Sequence, residues 1–174
     1  SMVGNDILTQ IVIEKGITKP NLILTNLHDG VKKSLKQDTT SSNTKDGMDI
    51  AIVAFDKTNY SNIEYAAAFR PMWLIKNNSK EITEYKADKH SIGGAYSSEA
   101  REFTNHEIKL EKGDSFYLST DGYADQFGGE LGKKMMSKNM KDLLISIQSK
   151  NLTEQKNILE NNFHTWKGSR EQVD

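Results

Sequence analysis

The sequence predicts an α+β fold. Helical periodicity occupies both ends of the chain, strand-like runs occupy its middle, and the two kinds of segment do not alternate as they would around a parallel sheet. No internal repeat and no Pro- or Gly-rich linker interrupts the 174 residues, a length that suits one domain.

Asp6 to Glu14 reads as a helix because Ile7, Leu8, Ile11 and Val12 recur on one face, and Gly16 ends it. Thr18 is placed to cap the next helix, with Pro20 in its first turn. Leu24, Leu27, Val31 and Leu35 form its apolar stripe to about Lys36. Residues 38–46 are polar and rich in Ser, Thr and Asn, which predicts a loop. Met48 to Phe55 is almost continuously apolar, the mark of a strand covered on both faces. Ile63–Ala68 and Met72–Lys76 read as two further strands, and Asn77-Asn78 as a turn into Glu81–Lys86. Phe103 to Leu110 alternates, Gly113-Asp114 turns the chain, and Ser115–Thr120 is the last strand of this block. Helical spacing returns at Met136, Met140, Leu143, Leu144 and Ile147. Thr153 is placed to cap a final helix that buries Leu159, Phe163 and Trp166 and closes at Gly168. Glu171 to Asp174 reads as the start of a strand.

Charge is balanced, with 23 basic and 24 acidic residues, which argues against a nucleic-acid-binding face. The chain has no cysteine, so disulfides and thiolate metal sites are excluded and a reducing, cytoplasmic setting is expected. No apolar run reaches the roughly 20 residues of a membrane span, and no signal peptide is visible.

The stretch Ser119-Thr120-Asp121-Gly122-Tyr123-Ala124-Asp125-Gln126-Phe127-Gly128-Gly129 ends a strand on Asp-Gly. A plain turn explains a lone Asp-Gly. A hard-cation site explains carboxylates gathered at strand ends, because Mg²⁺ and Mn²⁺ take oxygen ligands. Asp121, Asp125 and Asp174 are the candidates, with Asp46 and Asp49 framing another strand entry. Competing chemistries fail on spacing. An EF-hand read from Asp121 has Tyr123, Gln126 and Gly132 at positions that require other residues. The Gly128–Lys133 run lacks the first glycine and the Ser or Thr of a phosphate-binding loop, and reads instead as a loop that frees the backbone beside the acidic residues. His28, His90, His106 and His164 show no metal-ligand spacing. His28 reads as a satisfied, partly buried histidine, and His106 as facing out of a strand.

Several ordered stretches then give the chain a resemblance. Asp46-Gly47-Met48-Asp49-Ile50-Ala51, Tyr65 through Pro71, Ser91-Ile92-Gly93-Gly94, Ser119 through Gly129, and Trp166-Lys167-Gly168 with Gln172-Val173-Asp174 resemble motifs of the SpoIIE-type branch of the metal-dependent PPM (type 2C) serine/threonine protein phosphatases. The resemblance implies a β-sandwich flanked by helices, with 46–120 the sheet region and 132–168 the C-terminal helices; residues 1–37 form a helical pair that the residues themselves read as a plain pair packed on a sheet and that the resemblance alone casts as a switch. It implies hydrolysis of phosphoserine or phosphothreonine by a water held between two Mn²⁺ or Mg²⁺ ions. Asp121 and Asp174 match metal ligands, while Asp46 and Asp49 receive no metal role. The implied substrate is a phosphorylated bacterial regulatory protein of the anti-sigma-antagonist kind, and the implied neighbour is an upstream sensory domain, membrane-anchored in some relatives. The family's early strands with their bridging aspartate, and its last strand, have no counterpart in these residues. The expectations are therefore an incomplete sandwich, little activity for this chain alone, and pairing of exposed sheet edges into a homodimer. The alternative is a phosphatase-like module that binds partners without catalysis.

Overall fold

The computed structural model describes residues 2–35, 37, 47–94 and 101–173. In chain order the elements are α1 (Met2–Thr9), a π-helical turn (Gln10–Glu14), α2 (Pro20–Ser34), β1 (Gly47–Met48), β2 (Ile50–Asp56), β3 (Asn59–Ala68), β4 (Met72–Ile75), β5 (Ile82–Tyr85), β6 (Ile92–Gly93), β7 (His106–Lys109), β8 (Ser115–Leu118), α3 (Gly122–Asp125), β9 (Phe127–Gly128), β10 (Lys133–Lys134), α4 (Met136–Ile147) and α5 (Leu152–Lys167). The α+β expectation holds: helices flank the sequence block of strands, and the β1–β6, β2–β3, β3–β7 and β9–β10 ladders are antiparallel. The chain divides into two compact units, Ser1–Met72 with Tyr85–Leu110, and Trp73–Glu84 with Glu111–Asp174.

In the first unit the strand order β2-β3-β7 places β3 in the middle. Tyr65, Ala66, Ala67 and Ala68 are all buried in succession, as in a strand covered on both faces. The sequence assigned that role to Met48–Phe55. As an edge strand, β2 is instead half-buried along Ile50–Ala54 and exposed at Phe55. The apolar stripe of α2, with Ile23, Leu24, Leu27 and Val31, packs with Ala66, Ala68, Ile92, Phe103 and Ile11. The small alanine side chains of β3 leave room for the helix, and each fully buried leucine there contributes about 1.5–3 kcal/mol.

The α1 helix starts earlier than Asp6 and does not continue as an α-helix. Lys15 N–H donates to the Gln10 carbonyl at 3.0 Å, a π-type bond that inserts one residue into the turn. Thr18 does not cap α2. Lys19 stands at the N-cap without a side-chain bond, and Pro20 at the first helical position fixes the entry.

In the second unit the core joins Trp73 and Ile75 of β4 to Met140 and Leu144 of α4. Glu84 accepts from the Trp73 indole at 3.1 Å and from the Lys141 ammonium at 2.6 Å, while Lys141 lies 4.9 Å from the Trp73 ring centroid. Asp114 organises the turn before β8. Its carboxylate accepts from Lys76 (2.7 Å) and from the backbone N–H groups of Asn77 and Glu111 (both 2.9 Å). Burial pushes this carboxyl up, and the three donors outweigh burial, holding it below its ordinary value. The cap of α5 is Asn151 rather than Thr153. Asn151 accepts from Glu154 N–H at 2.9 Å, and Glu154 accepts in return from Asn151 N–H, a complete capping box. Leu159, Phe163 and Trp166 are half-buried, as their spacing predicted, and Gly168 closes the helix.

Candidate metal centre at the Asp121 turn

Asp121 stands where the chain leaves β8 and enters the single turn of α3. Its backbone carbonyl accepts from Asp125 N–H at 2.8 Å, which closes that turn and leaves the carboxylate exposed without a capping bond to the helix. Asp125 is engaged in an ion pair with Lys134 at 3.1 Å, on a surface where such pairs are worth at most about 1 kcal/mol. Asp125 is thus paired to a lysine across the β9–β10 hairpin, and Asp121 stands at an exposed position at the end of β8.

The residue after this pair, Gln126, is fully buried. Its carbonyl oxygen accepts from Met135 N–H at 3.0 Å and from the Trp166 indole at 2.9 Å. Its side-chain amide donates to the carbonyls of Phe127 (3.0 Å) and Glu171 (2.9 Å), and its amide oxygen accepts from Val173 N–H at 3.3 Å. One residue thus joins the Asp121 turn, the entry to α4, the end of α5 and the segment that leads to Asp174.

The glycines that follow have a function the sequence did not reveal. They do not merely free a loop. A Cβ at Gly128 would overlap the Trp166 carbonyl, and Gly129 N–H donates to that carbonyl at 2.8 Å. The glycine run is the seat on which the end of α5 rests. The Glu171–Val173 segment, expected to begin a strand, pairs with no strand among the described residues and is bonded by the Gln126 side chain. Asp174 and Asp46 lie outside the described residues. Asp49 belongs to the first unit and forms an ion pair with Arg70 at 2.6 Å.

A groove of about 640 Å³ runs beside the turn, lined by Tyr117, Thr120, Gly122, Tyr123, Phe163 and Gln172 among others. Burial pushes the Tyr123 hydroxyl up to about 12, and its oxygen lies 3.0 Å from the Leu159 carbonyl and 2.9 Å from Asn162 Oδ1. This flank presents a neutral phenol and the Phe163 ring, with Lys156, Glu160 and His164 also on its lining.

The donors suit Mg²⁺ or Mn²⁺ in kind, since Asp121 offers hard carboxylate oxygens at an exposed strand end. Among the described residues no group of three or more His, Cys, Asp or Glu stands close enough to hold an ion. His28 and His106 are engaged elsewhere, while His164 lines the groove. His28 is buried, with Nδ1 accepting from Gly93 N–H at 3.1 Å. His106 does not simply face outward: it is half-buried, its Nε2 lies 3.1 Å from the Lys86 carbonyl, and its ring packs near Tyr65 and Tyr85.

Comparison with known proteins adds two findings. The family model of stage II sporulation protein E (SpoIIE) matches residues 3–174. Among solved structures, the SiaA-PP2C domain of Pseudomonas aeruginosa matches with a TM-score of 0.83 at 25% sequence identity, over 99% of this chain and 64% of that one. The chain thus spans about two-thirds of the length of that structure. The comparison with curated proteins finds no match.

Proposed function

The chain belongs to the SpoIIE family, and on that premise we propose that it forms part of a metal-dependent phosphatase that hydrolyses phosphoserine or phosphothreonine on a regulatory protein. The observation that carries the proposal is the bonding of the Gln126 side chain to Glu171 and Val173, which ties the residues before Asp174 to the turn that bears Asp121. Asp121 and Asp174 are the residues that would hold Mn²⁺ or Mg²⁺. Two such ions supply a water of lowered pKa and neutralise phosphoryl charge when bound. The protein's own contribution is to present carboxylate oxygens from segments far apart in sequence.

The substrate is taken to be a phosphorylated bacterial regulator of the anti-sigma-antagonist kind, with an upstream sensory domain in control and a cytoplasmic setting. Association of two copies belongs to the same reading. Its support is the exposed apolar surface at Phe55 and Tyr60, whose ring centroids are 5.7 Å apart, and at Ile13 and Leu22.

The test is Mn²⁺-dependent hydrolysis of a phosphoserine peptide and an aryl phosphate by the full-length protein and its Asp121→Asn variant. The variant is expected to lose about 100-fold or more in rate, beyond the 10- to 100-fold typical of residues that only orient ligands. Equal rates would remove Asp121 from the mechanism. A folded, Mn²⁺-bound wild type without activity on any phosphopeptide would favour the non-catalytic binding module.

A further inference from the structure

We propose that His28 is a proton-operated latch: in its neutral form it ties α2 to the Ser91–Gly94 turn, and on taking a proton it releases that turn while the core of the first unit stays folded. The inference concerns the first unit alone and does not depend on the metal-site reading.

The latch follows from which ring atoms are already committed. Gly93 N–H donates to His28 Nδ1 at 3.1 Å. Nδ1 is therefore the acceptor of a neutral ring, and the ring hydrogen sits on Nε2. The side chain is fully buried, and Nε2 meets no hydrogen-bond partner. A second proton has to go to Nδ1. There it turns the acceptor into a donor that faces another donor, and nothing is gained at Nε2 in exchange. Burying a charged ring whose hydrogen bond has just been lost costs far more than burying the neutral one.

The surrounding charges sharpen the effect. Arg101 donates to the Ser91 carbonyl at 2.6 Å and to the Gly93 carbonyl at 3.2 Å. His28 and Arg101 thus hold the N–H and the C=O of one residue, so a proton on the ring sets two cations against each other across Gly93. Lys32, one helical turn along α2, adds to the repulsion, and Asp29 opposes it. His90, whose ring packs 4.7 Å from that of Phe103, contributes a little. The other elements packed against α2 present apolar side chains, Ile7, Ile11, Ala66 and Ala68 among them. These contacts do not titrate, and from the turn only Ile92 joins that core. The β1–β6 ladder beside the turn is two residues long, and Gln37 Oε1 accepts from Gly94 N–H at 3.0 Å. The turn is therefore fixed largely by side chains, and the loss of one of them opens it locally.

The experiment is amide hydrogen exchange read by NMR on the full-length protein from about pH 7.5 to about pH 4.5, corrected for the intrinsic pH dependence of exchange, with the His28 ring titrated in the same samples. Protection of the Gly93 amide should fall about 10-fold for each pH unit below about 6.5, because the open turn takes a proton that the closed turn refuses. It should level off where the closed ring itself becomes protonated. The amides of β3, at the centre of the same unit, should keep their protection. His28→Asn places an uncharged acceptor, Oδ1, near the position of Nδ1, and should make Gly93 protection independent of pH. Arg101→Gln keeps a donor and removes the like charge, so the closed ring accepts its proton at higher pH and the total loss of protection shrinks. Constant Gly93 protection in the wild type, an equal loss in His28→Asn, or a parallel loss throughout β3, which is global unfolding, would each overturn the inference. If His28→Asn does not fold, the wild type decides: a His28 titration whose midpoint differs from the pH at which Gly93 protection levels off overturns the latch, and coincidence supports it.

Discussion

Each unit holds a glycine-bearing turn with a buried polar side chain, and the two do it with different chemistry. In the first unit His28 Nδ1 accepts from Gly93 N–H and Gln37 Oε1 accepts from Gly94 N–H, at 3.1 and 3.0 Å. Arg101 donates to the carbonyls of Ser91 and Gly93 from the other side. In the second unit an uncharged amide, Gln126, and the Trp166 carbonyl hold the chain around Gly128 and Gly129. The first clamp contains an ionisable imidazole, whose pKa burial lowers, and the second contains no ionisable group. A turn held by a neutral imidazole acceptor depends on proton concentration, whereas one held by an amide is indifferent to it.

The glycines differ as well. Gly93 needs its φ of 73°, a backbone conformation, while Gly128 needs the empty space where a side chain would meet Trp166. The largest effect is therefore expected at Gly128. Gly128→Ala should destabilise the protein by about 3 kcal/mol, since the contact is with backbone and cannot swing away. Urea denaturation would show it, and a loss below about 1 kcal/mol would mean that α5 shifts freely. Asp114→Asn comes next. It removes the charge that pairs with Lys76 while keeping the shape, and should cost about 1–2 kcal/mol at pH 7. Because the folded carboxyl is held below its ordinary value, this difference should persist above about pH 4 and vanish as pH falls through the folded value. Gly93→Ala should cost about 1 kcal/mol from the left-handed conformation alone. An equal loss at Gly93 and Gly128 would erase the contrast between conformation and space.

The smallest expected effect is the pH dependence of the first clamp. Burial lowers the His28 pKa, with Arg101 and Lys32 adding to the effect, His90 contributing a little and Asp29 opposing it. The unfolded chain then takes a proton that the folded chain refuses. His28 stability is complete above its unfolded value of about 6.5 and declines as pH drops from there towards the folded value. The melting temperature of wild type should fall more steeply from pH 7.5 to 5.5 than that of His28→Gln. Parallel slopes would show that the clamp does not titrate in this range.

The comparison also shows what a sequence can carry. Helical and strand periods located α2, β3, β4, α4 and α5 because those signals are local. The Asp121 turn was legible because the Asp-Gly pair follows an apolar run. The α5 cap was legible in principle, since Asn151 and Glu154 stand at capping-box spacing, but Thr153 is an equally good cap by composition. The position of β3 at the centre and of β2 at the edge was hidden, because two apolar runs look alike until a partner strand covers one of them. The roles of Gln126 and Gly128 were hidden for a stronger reason. Both are defined by Trp166 and by Glu171–Val173, far along the chain, and no periodicity records such a contact.

The bonds of Gln126 have a kinetic consequence. Its contacts with Trp166 and Glu171 close loops of 40 and 45 residues, whereas the turn at Asp121 closes over four. Loops of that length cost chain entropy before their contacts return any, so they form late in folding and open early in unfolding. The Asp121 turn can thus form well before the segment leading to Asp174 docks on it. Sequence distance makes the docking of Glu171–Val173 on this turn one of the last features acquired during folding and one of the first lost when the second unit begins to open.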